Sequence, residues 1–218
     1  MKGFFSTCFV FFLGTCLIGF AAWMPSMVRA EAVSPHILFL GDSITAGLGV
    51  EPENAYPAIV NKMLSEMLKE KGSPPVKITN GSISGSTTAG AISRLQWFLR
   101  AKPDILFLAL GANDGLRGLS THEMFQNLER TIRLAKQNHI RVILAGMEIP
   151  PNYGPDYSKA FRDVFAVLAD RHPLSFIPFL LKDVAGNPLL NQADGIHPNR
   201  AGHKIIAATV LPYIQAQL

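Results

Sequence analysis

The chain has 218 residues, 48% of them hydrophobic and 17% charged, and 20 Lys and Arg against 16 Asp and Glu leave a net charge of +4. No basic stripe or aromatic ladder marks a nucleic-acid surface, and there is no repeat, low-complexity tract or Gly/Ser-rich linker. The only two cysteines, Cys8 and Cys16, lie near the start, which excludes a disulfide framework.

In chain order, Lys2 is followed by an uncharged run over residues 3–25, and Val28-Arg29-Ala30 then offers small residues where a signal peptidase reads them. This predicts a signal peptide over residues 1–30, cut after Ala30, and a single domain over residues 31–218. The protein would then be periplasmic or secreted. The alternative is a retained N-terminal membrane anchor, since the apolar run approaches the ~20 residues of a spanning helix. Loss of Lys2 and Arg29 takes the basic residues from 20 to 18 and the net charge from +4 to +2. The mature chain has no cysteine and relies on its core; a domain of this length buries about 70% of its unfolded surface.

Residues 36–40, 76–80, 105–110, 141–146 and 175–178 are short apolar or β-rich runs of strand length. Residues 56–71, 92–101, 121–138, 157–171 and 201–217 show helical spacing, as in Met124, Leu128, Ile132 and Ala135. Thr121-His122-Glu123 reads as a helix start and Asn138-His139 as its stop. Five strands alternating with helices predict an α/β fold: a parallel sheet buried between two helix layers. A flavodoxin-like strand order 2-1-3-4-5 would bring the loops after the first three strands side by side.

Those loops carry the polar motifs. Gly41-Asp42-Ser43-Ile44-Thr45 follows the first strand, Ser82-Ile83-Ser84-Gly85 the second, Gly111-Ala112-Asn113-Asp114 the third, and Asp194-Gly195-Ile196-His197-Pro198 the fifth. Each has a plain structural reading. Ser43 or Thr45 could cap a helix, Asn113 could serve a turn, and Gly85 could merely satisfy a positive φ. Each also fits acyl transfer: Ser43 as a hydroxyl at a helix N-terminus, Asn113 as a neutral amide donor, Gly85 as a bare N–H facing an oxyanion.

His197 discriminates between the two readings. Histidine supplies a base near neutral pH, and Asp194, three positions earlier, can reach its Nδ1 if Gly195 turns the chain. His36, His122, His139, His172 and His203 lack an acidic residue at that spacing in a loop after a strand. One histidine and one carboxylate are too few ligands for a metal. Serine, base, orienting acid and oxyanion donors together make up a serine esterase. The Gly-x-Ser-x-Gly elbow is absent, because Gly81-Ser82-Ile83-Ser84-Gly85 centres on Ile83.

The four motifs resemble the blocks of the SGNH, or GDSL, hydrolases, with a likeness running from about His36 to Leu211. Gly111 to Gly118, Pro150-Pro151-Asn152-Tyr153-Gly154 and Asp194 to Arg200 look most like the bacterial periplasmic group of multifunctional acyl-CoA thioesterases, lysophospholipases and arylesterases. Ile44 stands where the name-giving motif has leucine, a volume-conserving exchange. The resemblance implies the three-layer SGNH hydrolase fold, with Ser43 as nucleophile, His197 as base and Asp194 as its partner. It implies an oxyanion hole from the Ser43 and Gly85 N–H groups and the Asn113 amide, and no cofactor or metal. Implied substrates are acyl esters, thioesters and lysophospholipids, the last compatible with transient contact with a membrane surface.

The loop 150–157 follows the fourth strand and is either an apolar overhang or a plain surface connection. The resemblance favours the overhang, with Pro151 and Tyr153 as substrate contacts. A carbohydrate or cell-wall O-acetyl esterase would use the same triad and differ in acyl-length preference. A non-catalytic binding module on the same fold is the remaining alternative, against which stands the presence of all five site residues.

Overall fold

The computed structural model describes residues 34–218 together with Met1, Gly3 and Phe4. The expected signal peptide, its cleavage point and both cysteines lie outside the described residues, apart from those three. Among the described residues no helix is long and apolar enough to cross a membrane.

Five parallel strands form the sheet: β1 (His36–Gly41), β2 (Lys77–Asn80), β3 (Ile105–Ala109), β4 (Arg141–Ala145) and β5 (Ser175–Ile177). Their order is β2-β1-β3-β4-β5, as the motif-bearing loops required. β1 and β3 are buried at every position and pair in register, Ile37 with Ile105 through Gly41 with Ala109. Central strands covered on both faces need apolar side chains at consecutive positions, so these two read as continuous hydrophobic runs. β2 lies at an edge, with Lys77 and Asn80 exposed.

The helices are α1 (Ser43–Ala46), α2 (Tyr56–Glu70), α3 (Ala91–Leu99), α4 (Ala112–Leu116), α5 (Thr121–Gln137), α6 (Pro155–Arg171) and α7 (Arg200–Gln215). α2 packs on α7, while α5 packs on both α3 and α6, which makes the two outer layers. In α5, Met124, Leu128, Ile132 and Ala135 all face the core, as their spacing predicts. The core centres on Phe39, Tyr56 and Phe107, whose ring centroids lie 4.8–6.1 Å apart. Truncating a fully buried phenylalanine such as Phe39 would cost about 3–5 kcal/mol.

Three details differ from the sequence reading. α6 starts at Pro155 rather than 157, since proline suits the first helical turn, where its missing N–H costs nothing. α5 is capped by Ser120, whose hydroxyl accepts from the Glu123 N–H at 3.3 Å. α1 and α4 have four and five residues, too short to leave a periodic signal.

Candidate active site

Ser43 is the first residue of α1, directly after β1. Asp42 caps this helix, its Oδ1 accepting from the Ile44 N–H at 3.0 Å; neither Ser43 nor Thr45 does so. The Thr45 hydroxyl instead meets the Tyr56 hydroxyl at 2.9 Å. Gly41 is required at the strand's end, because a Cβ there would collide with the Thr45 side chain. The turn is thereby drawn tight beneath the serine.

The Ser43 Oγ lies 2.8 Å from His197 Nε2, across 154 residues of sequence. His197 Nδ1 lies 2.7 Å from Asp194 Oδ2. The other carboxylate oxygen, Asp194 Oδ1, accepts from the backbone N–H groups of Ile196 at 2.9 Å and His197 at 3.0 Å. Gly195 has φ +70°, a left-handed conformation that lets the carboxylate fold back onto the chain that follows it. These bonds, the His197 N–H foremost and then its imidazole, hold the Asp194 carboxyl down at about 2. Asp42 is driven the other way. Burial raises its carboxyl to about 6, and its Oδ2 has no hydrogen-bond partner among the described residues.

Gly85, with φ +78°, follows β2, and Asn113 lies in α4 after β3. The two segments are tied together. The Asn113 side-chain amide donates to the Ser86 carbonyl at 3.1 Å, and the Arg117 guanidinium donates to the Gly85 carbonyl at 3.0 Å. Arg94 reaches the Ser86 hydroxyl at 3.0 Å and the Gly41 carbonyl at 3.5 Å, linking this cluster to the end of β1. Ser43, Gly85, Asn113, Asp194 and His197 thus all lie beyond the carboxyl ends of strands, where open α/β sheets bind ligands.

Pro151 and Tyr153 form a 3₁₀ turn ahead of α6, Pro151 exposed and Tyr153 half-buried. The Tyr153 hydroxyl donates to the Leu116 carbonyl and that of Tyr157 to the Leu119 carbonyl, both at 2.7 Å. The loop is fastened by these hydroxyls to the segment after Asn113, an anchoring that sequence did not suggest. Gln192 was also not foreseen. Its backbone N–H donates to the His197 carbonyl at 2.8 Å, and its side-chain amide donates to the Leu48 carbonyl at 2.6 Å, bridging the histidine loop to the serine loop. A glutamine in an irregular loop carries no pattern that could have revealed this.

The GDSL-like Lipase/Acylhydrolase family model matches residues 39–205, which include all five of these residues. The chain belongs to this family. As a GDSL acylhydrolase it is a hydrolase of carboxylic esters. It is 35% identical to Esterase TesA of Pseudomonas aeruginosa over 88% of this chain and 94% of that protein. It is 37% identical to an arylesterase of Vibrio mimicus over 83% of this chain and 88% of that one. Identity to the thioesterase 1/protease 1/lysophospholipase L1 of Escherichia coli is 32%, over 84% and 85%. Among solved structures, TesA superposes with a TM-score of 0.78 at 36% identity, covering 84% of this chain and 99% of that one. The psychrotrophic esterase EstA of Pseudoalteromonas sp., inhibited by monoethylphosphonate, gives 0.76 at 31% identity, covering 84% and 98%. The three-layer fold of this GDSL acylhydrolase is that of its SGNH hydrolase neighbours.

Proposed function

We propose that this acylhydrolase works through a Ser43–His197–Asp194 triad and an acyl-enzyme. The observation that carries the proposal is the continuous hydrogen-bonded line from Ser43 Oγ through His197 to Asp194, at 2.8 and 2.7 Å. Ser43 Oγ attacks the acyl carbonyl as His197 Nε2 takes its proton. Asp194, ionised well below neutral pH, keeps the Nδ1–H directed at itself and stabilises the imidazolium. The tetrahedral oxyanion is received by the N–H groups of Ser43 and Gly85 and by the Asn113 amide. An amide has two N–H donors. Ser86 takes one from Asn113, and the other is left for the oxyanion. His197 then protonates the leaving alcohol or thiol, and water repeats the cycle on the acyl-enzyme.

The substrates are acyl esters and thioesters, lysophospholipids among them, a range supported by the activities for which the relatives are named: esterase, arylesterase, thioesterase and lysophospholipase. The apolar faces of Pro151 and Tyr153 flank the acyl or leaving group, since the Tyr153 hydroxyl is already engaged with Leu116. The protein is exported, with residues 1–30 removed as a signal peptide from a domain over residues 31–218. Hydrolysis of p-nitrophenyl esters from acetyl to palmitoyl, beside a Ser43→Ala control, tests the reading. Hydrolysis of medium and long esters, absent in the control, is expected. Activity confined to the acetyl ester would point to an O-acetyl esterase, and activity surviving in Ser43→Ala would overturn the mechanism.

A further inference from the structure

Two of the three oxyanion donors proposed above come from separate segments, Gly85 after β2 and Asn113 after β3. The sheet sets the ends of β2 and β3 through β1, but both donors lie beyond it, Gly85 five residues past Asn80 and Asn113 four past Ala109. β2 and β3 are not neighbours, since β1 lies between them. A shift of about 1 Å in such a donor can cost about 10²-fold in rate, so the contacts that tie the two segments beyond the sheet matter.

Asp114 stands next to Asn113, and Thr88 stands three residues after Gly85. The Asp114 carboxyl grips Thr88 at two points: Oδ2 accepts from the Thr88 N–H at 2.9 Å, and Oδ1 accepts from the Thr88 hydroxyl at 2.6 Å. Asp114 is 3% exposed and Thr88 fully buried. The Asn127 amide on α5 donates to the Thr88 hydroxyl oxygen at 3.2 Å, so that hydroxyl both donates and accepts. The other two ties between these segments, Arg117 to Gly85 and Asn113 to Ser86, are exposed or partly so. Water competes for those. It does not reach the Asp114–Thr88 pair, where a two-point contact fixes orientation as well as distance.

We infer that Asp114, acting through Thr88, is a positioning residue that sets the distance between the Gly85 N–H and the Asn113 amide. It touches no reacting atom. The inference rests on the oxyanion hole proposed above, and its consequence is kinetic: loosening the clamp weakens binding of the transition state while leaving the ester's own binding nearly unchanged.

The test is a double-mutant cycle on kcat and KM for one p-nitrophenyl ester, using the whole protein. Thr88→Val removes the hydroxyl at nearly constant volume; Thr88→Ser restores it. Thr88→Val is expected to lower kcat by about 10-fold with KM within about 2-fold, and Thr88→Ser to return kcat to within about 2-fold of the parent. In an Asn113→Ala background the same Thr88→Val change should cost less than about 2-fold, because the donor it aligns is gone. Losses that multiply in the double variant, or a Thr88→Val kcat equal to the parent's beside a depleted Asn113→Ala, would overturn the clamp alone. An Asn113→Ala variant with full activity would overturn the oxyanion hole and the clamp with it. Should Thr88→Val fail to fold, Asp114→Asn takes its place in the cycle under the same expectations.

Discussion

Asp42 and Asp194 each adjoin one member of the Ser43–His197 pair, and their surroundings push them in opposite directions. Asp42 is 2% exposed, with one oxygen unpartnered, and burial lifts its carboxyl to about 6. Asp194 has 44% of its side chain exposed, yet three hydrogen bonds from its own loop hold it at about 2. The serine half of the site is therefore built from long-range packing and sits dry. The histidine half is a short turn at the surface, in which the Asp194 charge is secured by local donors rather than by burial.

The largest effect that could break this contrast lies with His197, the proposed base. His197→Ala should lower kcat by about 10⁴–10⁶-fold, as loss of a triad base does, measured by steady-state hydrolysis of a p-nitrophenyl ester. A loss below about 10²-fold would remove His197 from the chemistry. Next comes Asp194→Asn, with an expected loss of about 10³-fold in kcat. The amide cannot accept from Nδ1 and from both backbone N–H groups at once, while water near this half-exposed residue softens the loss relative to a buried triad acid. A loss equal to that of His197→Ala would mean that the two halves are equally dry. Asn113→Ala follows at about 10²–10³-fold, the usual effect of one oxyanion donor. An unchanged kcat would exclude that role.

The smallest effect on rate is expected from Asp42→Asn, which can still cap α1 and should keep kcat within about 3-fold. Its signature is in stability. A carboxyl whose folded value is raised from 3.8 to about 6 favours the fold below pH 3.8, where both states are protonated, and loses that advantage as pH rises through about 6. Against the parent, Asp42→Asn should thus gain stability between about pH 4 and pH 6, by up to about 3 kcal/mol, read from thermal unfolding across that range. Parallel stability curves would show that the Asp42 carboxyl is not raised in the folded state. Asp194 has the opposite sign: its contribution is present above pH 3.8 and is lost as pH falls toward 2.

The same contrast explains what could be read from sequence. The sheet was legible because β1 and β3 bury consecutive side chains, and continuous apolar runs such as Ile37-Leu38-Phe39-Leu40 have few other uses. The Asp194–His197 pair was legible because its geometry is local, three residues and a glycine apart. The serine half was legible only as a set of motifs. Asp42 as the cap, Thr88 as the partner of Asp114, and Gln192 as the bridge to Leu48 act across 2, 26 and 144 residues. The first was hidden because Asp42, Ser43 and Thr45 are all good caps. The other two depend on tertiary contacts that leave no period and no fixed spacing.

The central claim is that Ser43 is the nucleophile, and covalent trapping tests it most directly. The protein would be treated with a p-nitrophenyl alkylphosphonate, then digested and analysed by mass spectrometry beside Ser43→Ala. One phosphonyl adduct on the peptide containing Ser43, with none on Ser43→Ala, is the predicted result. An adduct on another residue, or equal labelling of Ser43→Ala, would contradict it.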